Sequence, residues 1–98
     1  MTEPRDKSLV RARILVSGRV QGVAYRAFTR QEAVRRNLSG GVRNLDDGRV
    51  EVEVEGEKES IAALIEVLKK GPPLARVDDL QVTWGAASGR YKDFRIWH

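Results

Sequence analysis

Two short stretches of this chain combine residue types that could manage an anion. The first is Gly18-Arg19-Val20-Gln21-Gly22-Val23-Ala24-Tyr25-Arg26, a basic segment carrying two glycines between an alternating apolar run and a helix-like one. A loop that leaves a strand and enters a helix N-terminus points several unpaired N–H groups in one direction, toward the positive end of the helix dipole. Gly18 and Gly22 allow dihedrals and close approach that a side chain would block. Arg26, just inside the helix, can fold back with a planar two-point guanidinium, so a tetrahedral phosphoryl group could be held from several sides. The second stretch is Gly40-Gly41-Val42-Arg43-Asn44-Leu45-Asp46-Asp47-Gly48. Alternation puts Asn44 on the same face as Val42, the residue that should pack beneath the helices. An asparagine amide has no useful basicity near neutral pH, so Asn44 can orient a water but cannot deprotonate it.

Each stretch alone also has a plain structural reading. Two glycines make a turn and Arg26 is a solvated helix arginine; Asn44 is a turn residue ahead of Asp46-Asp47-Gly48. Their joint occurrence favours a site, provided the fold brings them together.

The elements that must do so are legible as periodicities. Residues 9–17 alternate, with Val10, Ala12, Ile14 and Val16 on one side and Arg11 and Arg13 on the other, as in a half-buried strand. Residues 24–38 read as a helix with Ala24, Ala27, Phe28, Val34 and Leu38 inward, ending near Ser39-Gly40-Gly41. A short strand from Val42 to Leu45, the Asp46-Asp47-Gly48 reversal and the alternating run Val50–Val54 form a hairpin. Ile61, Leu64, Ile65 and Leu68 mark a second helix, capped by Gly56 or Ser60 and stopped by Gly71-Pro72-Pro73. Two further strands follow, around Leu80, Val82 and Trp84 and around Phe94 and Ile96.

The expected fold is therefore α+β: a ferredoxin-like two-layer sandwich, β-α-β-β-α-β plus a terminal strand, with one antiparallel sheet and both helices on one face. The first two strands run parallel, so Asn44 should come near the loop after the first. The open face should pair Arg11 and Arg13 with Glu51, Glu53 and Glu55 as surface ion pairs. Residues 1–8 read as a flexible polar tail and 9–98 as the domain.

Composition narrows the chemistry. The chain has 98 residues, no cysteine and a single histidine, His98, which excludes thiolate chemistry and the usual zinc constellations. His98 itself reads as inert. Eighteen Lys plus Arg against fourteen Asp plus Glu give a net charge of +4, which favours anionic partners. No apolar run approaches the ~20 residues that span a bilayer, so a cytoplasmic protein with no membrane contact is expected.

On both motifs the sequence resembles the acylphosphatase family. The family pattern G-R-V-Q-G-V-x-aromatic-R is met by Gly18 to Arg26, and G-x-V-x-N followed by D-G is met by Gly40, Val42, Asn44, Asp47 and Gly48. The likeness continues through Gly71-Pro72-Pro73-Leu74-Ala75 to Phe94-Arg95-Ile96. It implies hydrolysis of a carboxyl-phosphate anhydride to a carboxylate and inorganic phosphate, without a metal or other cofactor. It implies that Arg26 and the amides of Arg19, Val20, Gln21, Gly22, Val23, Ala24 and Tyr25 bind the phosphoryl group, and that Asn44 orients the attacking water. Gly41 stands where many relatives carry an aromatic residue and Asp46 where proline is frequent. The first departure is expected to loosen the rim of the site.

Rival readings are a catalytically silent anion-binding domain and an RNA-binding domain of the same topology. The second would stack bases on aromatic residues of the central strands, where this chain offers Glu51, Glu53 and Glu55. No nucleic-acid partner is expected, and a monomer is.

Overall fold

The computed structural model describes residues 8–98; residues 1–7, nearly all of the expected tail, lie outside the described residues. Strands β1 (Leu9–Arg19), β2 (Ser39–Asn44), β3 (Val50–Glu57), β4 (Arg76–Ala86) and β5 (Phe94–Ile96) form one sheet in the order β4-β1-β3-β2-β5. Helices α1 (Tyr25–Arg35) and α2 (Lys58–Lys70) pack on it. The alternation of β1 and β3 sends Ala12, Ile14, Val16, Val50, Val52 and Val54 into the core, each fully buried, against Ile61, Leu64 and Leu68 of α2. No helix among the described residues is long and apolar enough to cross a membrane.

Several expectations are corrected. Helix α1 buries Tyr25, Thr29 and Ala33, an i, i+4, i+8 stripe, and leaves Val34 half exposed. Counting apolar residues picks the wrong stripe because Tyr25 and Thr29 satisfy their own hydroxyls: Tyr25 donates to the Leu68 carbonyl (2.7 Å) and Thr29 to the Tyr25 carbonyl (2.9 Å). The helix also stops earlier, at Arg35. Asn37 takes a left-handed conformation (φ 58°) and the Leu38 N–H turns back to the Ala33 carbonyl (3.0 Å), so Ser39-Gly40-Gly41 begins β2 instead of ending the helix. Neither Gly56 nor Ser60 caps α2: the cap position is Glu57, in extended conformation, with no side-chain bond.

The sheet is antiparallel except at one edge, where β5 runs parallel to β2. Strand β4 finishes opposite Val10, at the end of the sheet where β2 starts. The chain crosses the sheet at that end and enters β5 beside Gly40, so β5 must run in the same direction as β2.

That crossing also closes the face expected to be open. Glu55 accepts bonds from the Ser88 N–H (2.8 Å), the Ser88 hydroxyl (2.7 Å) and the Gly89 N–H (3.0 Å), which pins the 87–93 segment across the sheet. Glu51 and Glu55 are consequently only 3% exposed, not surface residues. Glu51 lies between the Nε–H donors of Arg13 and Arg43, each at 2.6 Å. Burial pushes its carboxyl up, and the two guanidiniums outweigh burial and hold it below the usual carboxylate range.

Candidate active site

Between β1 and α1 the backbone is forced into an unusual path. Gly22 has φ 75°, and Ala24, the residue before the helix, is also left-handed at φ 66°, ψ 23°. Such a conformation costs a non-glycine residue roughly 1–2 kcal/mol and persists only where surrounding contacts impose it. Those contacts are visible. Val20 is buried in the core, and the Gln21 side-chain amide donates to the Leu45 carbonyl (2.8 Å) and the Arg49 carbonyl (3.0 Å). The Tyr25 hydroxyl is tied to Leu68, and burial pushes that phenol far above its ordinary range, so it stays a neutral strut.

The strained turn leaves the start of α1 uncapped. No side chain bonds to its first turn, no acidic residue sits there, and the first helical bond runs from the Phe28 N–H to the Ala24 carbonyl (3.0 Å). The N–H groups before Phe28 thus remain as donors for an anion at the positive end of the helix.

These donors border a cavity of about 310 Å³. Val20, Gly22, Ala24, Tyr25 and Arg26 line it from the loop side, and Asn44 lines it from the end of β2. No ion pair or hydrogen bond holds the Arg26 side chain among the described residues. Asn44 has a buried Oδ1 with no hydrogen-bond partner. An orphaned buried acceptor costs about 1–3 kcal/mol, which a water donating an O–H would recover. The expected convergence of residues 26 and 44 on one pocket is what the structure displays.

Three loop residues whose main-chain amides are expected donors send their side chains elsewhere. Arg19 ends β1 opposite Arg76, Gln21 turns its amide to the hairpin, and Val23 is packed in the core. None of the three lines the cavity. Gly18 permits a close approach as expected, but the approach is to β4: a Cβ there would sit 2.2 Å from the Arg76 carbonyl oxygen. Gly22, with nothing within 4 Å of a Cβ position, is the glycine that keeps the loop open.

His98, read from sequence as inert, borders the cavity, and it also borders a second one of about 330 Å³ with Arg43, Asn44, Leu45 and Asp46. Its position follows from register: Val42 pairs with Ile96, so two residues further His98 lies level with Asn44. Gly41 does not shape the rim. It faces away from Asn44, and its missing side chain is replaced by the Trp97 indole, whose Cε2 would be 2.1 Å from a Cβ. Trp97 in turn packs against Tyr91, ring centroids 5.7 Å apart.

Comparison with known proteins shows the family. A family model described as acylphosphatase matches residues 12–96. An acylphosphatase of Anaeromyxobacter sp. (strain Fw109-5) is 52% identical over 90 residues, covering 92% of this chain and 97% of that protein. One from Thermus thermophilus is 51% identical over 83 residues, covering 85% and 93%. The crystal structure of acylphosphatase from Bacillus subtilis superposes with a TM-score of 0.88 at 40% identity, covering 91% of this chain and 99% of that one.

Proposed function

The chain belongs to the acylphosphatase family and hydrolyses acyl phosphates to a carboxylate and inorganic phosphate, and we propose that the cavity shared by Arg26 and Asn44 is where it does so. The unpaired guanidinium of Arg26 takes two phosphoryl oxygens, and the free N–H groups at the start of α1 take the third. The Asn44 Oδ1 accepts one O–H of a water and aims the oxygen at phosphorus. As the new P–O bond forms, the bond from phosphorus to the acyl oxygen breaks and the electron pair leaves as carboxylate. That leaving group needs no protein acid, and the proton of the water passes to a phosphate oxygen. Phosphoryl transfer then depends on position and charge, which these residues supply without a general base or a metal.

The observation carrying this reading is the orphaned Asn44 Oδ1 beside an uncommitted Arg26 in one cavity. Benzoyl phosphate hydrolysis, followed by loss of ultraviolet absorbance, tests it. Turnover unaffected by EDTA and competitively inhibited by inorganic phosphate is expected; binding of phosphate without turnover would favour a silent ligand domain.

The enzyme is further read as a cytoplasmic monomer without a nucleic-acid partner. Its exposed large apolar residues, Leu9, Val34, Leu74 and Trp84, are dispersed along the chain. The sheet face that an RNA would need carries Glu51, Glu53 and Glu55 and lies under the 87–93 segment. Size-exclusion chromatography with light scattering, and a gel shift with single-stranded RNA, check the two statements.

A further inference from the structure

A larger cavity, about 910 Å³, lies between α1 and β5. Two features relate it to the phosphoryl pocket. Ile96 lines both cavities. Arg26, Arg30 and Val34 stand at i, i+4 and i+8 on α1, so they form one stripe: Arg26 borders the smaller cavity, Arg30 and Val34 the larger. At a rise of 1.5 Å per residue the stripe extends roughly 12 Å along the helix from Arg26 to Val34.

The character of this groove changes along its length. Its floor is apolar, with Val34, Phe94 and Ile96, and Val34 is 50% exposed. Its rim is basic, with Arg30, Lys92 and Arg95. The single acid there, Asp93, is already taken by the Arg95 Nε–H at 3.1 Å to each carboxylate oxygen. Arg30 and Lys92 have no partner among the described residues. A partly apolar groove with two uncommitted cations, adjoining through Ile96 the site that holds the phosphoryl group, has the form of a subsite for what that group is attached to.

We propose that the groove receives the acyl portion of the substrate and selects acyl phosphates whose acyl group carries a second negative charge beyond a short apolar spacer. The proposal rests on the active-site reading above. It assigns Arg30 and Lys92 to the distal charge and Val34, Phe94 and Ile96 to the spacer.

Three rigid substrates test it: 4-carboxybenzoyl phosphate, its near-isosteric neutral counterpart 4-carbamoylbenzoyl phosphate, and benzoyl phosphate. Each kcat/KM is normalised to the spontaneous hydrolysis rate at low ionic strength. The native enzyme is expected to prefer the carboxylate over the carboxamide by about five- to tenfold, and to lose most of the preference in salt that shortens the Debye length to a few ångströms. In Arg30→Gln and Lys92→Gln the preference drops toward unity, and in Val34→Glu, a substitution at an exposed position, it reverses. Arg35→Gln removes the same charge from α1 outside the groove and leaves the preference intact. Hydrolysis of benzoyl phosphate with no discrimination, or with discrimination unchanged in the three groove variants, overturns the groove alone. Failure to hydrolyse any of the three overturns the active-site reading and the groove with it.

Discussion

The side-chain amide of Gln21 donates to the main-chain carbonyl of Leu45 at 2.8 Å, joining the loop that carries Arg26 to the strand end that carries Asn44. A second bond from the same nitrogen reaches the Arg49 carbonyl at 3.0 Å, and that carbonyl also accepts the Leu45 N–H at 2.8 Å. One side chain thereby braces the two halves of the site, which the pairing of β1 and β2 with β3 already brings together.

Replacing Gln21 should therefore damage activity more than stability. Gln21→Ala is expected to cost about 1–2 kcal/mol in urea unfolding, the value of a part-buried amide bond lost with its acceptors retained. It should lower kcat/KM for benzoyl phosphate by about tenfold or more, because a small misplacement of reacting groups is expensive. Gln21→Glu, which replaces a donor by an anion beside two carbonyls, should be worse on both measures.

Gly41 and Trp97 form a complementary pair, one supplying the space that the other fills. Gly41→Ala is expected to destabilise the fold by about 1–3 kcal/mol through overpacking against the indole. Trp97→Ala in the same chain should recover part of that loss, so a double-mutant cycle in urea reads the coupling directly. The site lies on the opposite face of β2, and kcat should change little in whatever fraction remains folded.

Glu51 predicts the shape of the acid limb. Its carboxyl is depressed in the folded protein, so its stabilisation is complete above the unfolded carboxyl range and is lost as pH falls through that range toward the folded value. Glu51→Gln should be less stable than the native chain by about 1–3 kcal/mol at neutral pH, because Arg13 and Arg43 lose their shared carboxylate. As pH falls below about 4, where an ordinary glutamate titrates, the two stability curves should begin to converge, and they meet only below the depressed folded value. The acid limb of the variant becomes shallower but does not vanish, because Glu55 is depressed too, where bonds from Ser88 and Gly89 outweigh the upward push of burial. Urea unfolding from pH 3 to 8 measures both curves.

Sequence periodicity located most of the architecture because the relevant signals are local. Val50, Val52 and Val54 alternate with three glutamates, and Ile61, Leu64, Ile65 and Leu68 repeat at helical spacing; both faces are buried where that spacing puts them. The inward face of α1 was not legible, since Tyr25 and Thr29 become core residues only through hydroxyl bonds to specific carbonyls. Nor was the direction of β5, which depends on where a loop crosses a sheet of non-consecutive strands. His98 shared that fate, because only the β2–β5 register brings it beside Asn44. At the site, Arg26 and Asn44 stood out by residue type and spacing. The role of Gln21 did not, because its partners are main-chain carbonyls that no residue type marks.

The central claim is that the guanidinium of Arg26 and the amide of Asn44 serve one pocket in different capacities. Its most direct test is a paired measurement of kcat on benzoyl phosphate and of the inhibition constant for inorganic phosphate in Arg26→Lys and Asn44→Ala. Arg26→Lys should weaken phosphate binding and lower turnover by about 10² or more, since a lysine cannot reproduce the planar two-point contact. Asn44→Ala should lower kcat by about 10² or more while leaving phosphate affinity near native, as expected for a residue that aims the water and does not hold the anion. Near-native kinetics in Arg26→Lys, or parallel losses of folding stability and activity in Asn44→Ala, would contradict the account.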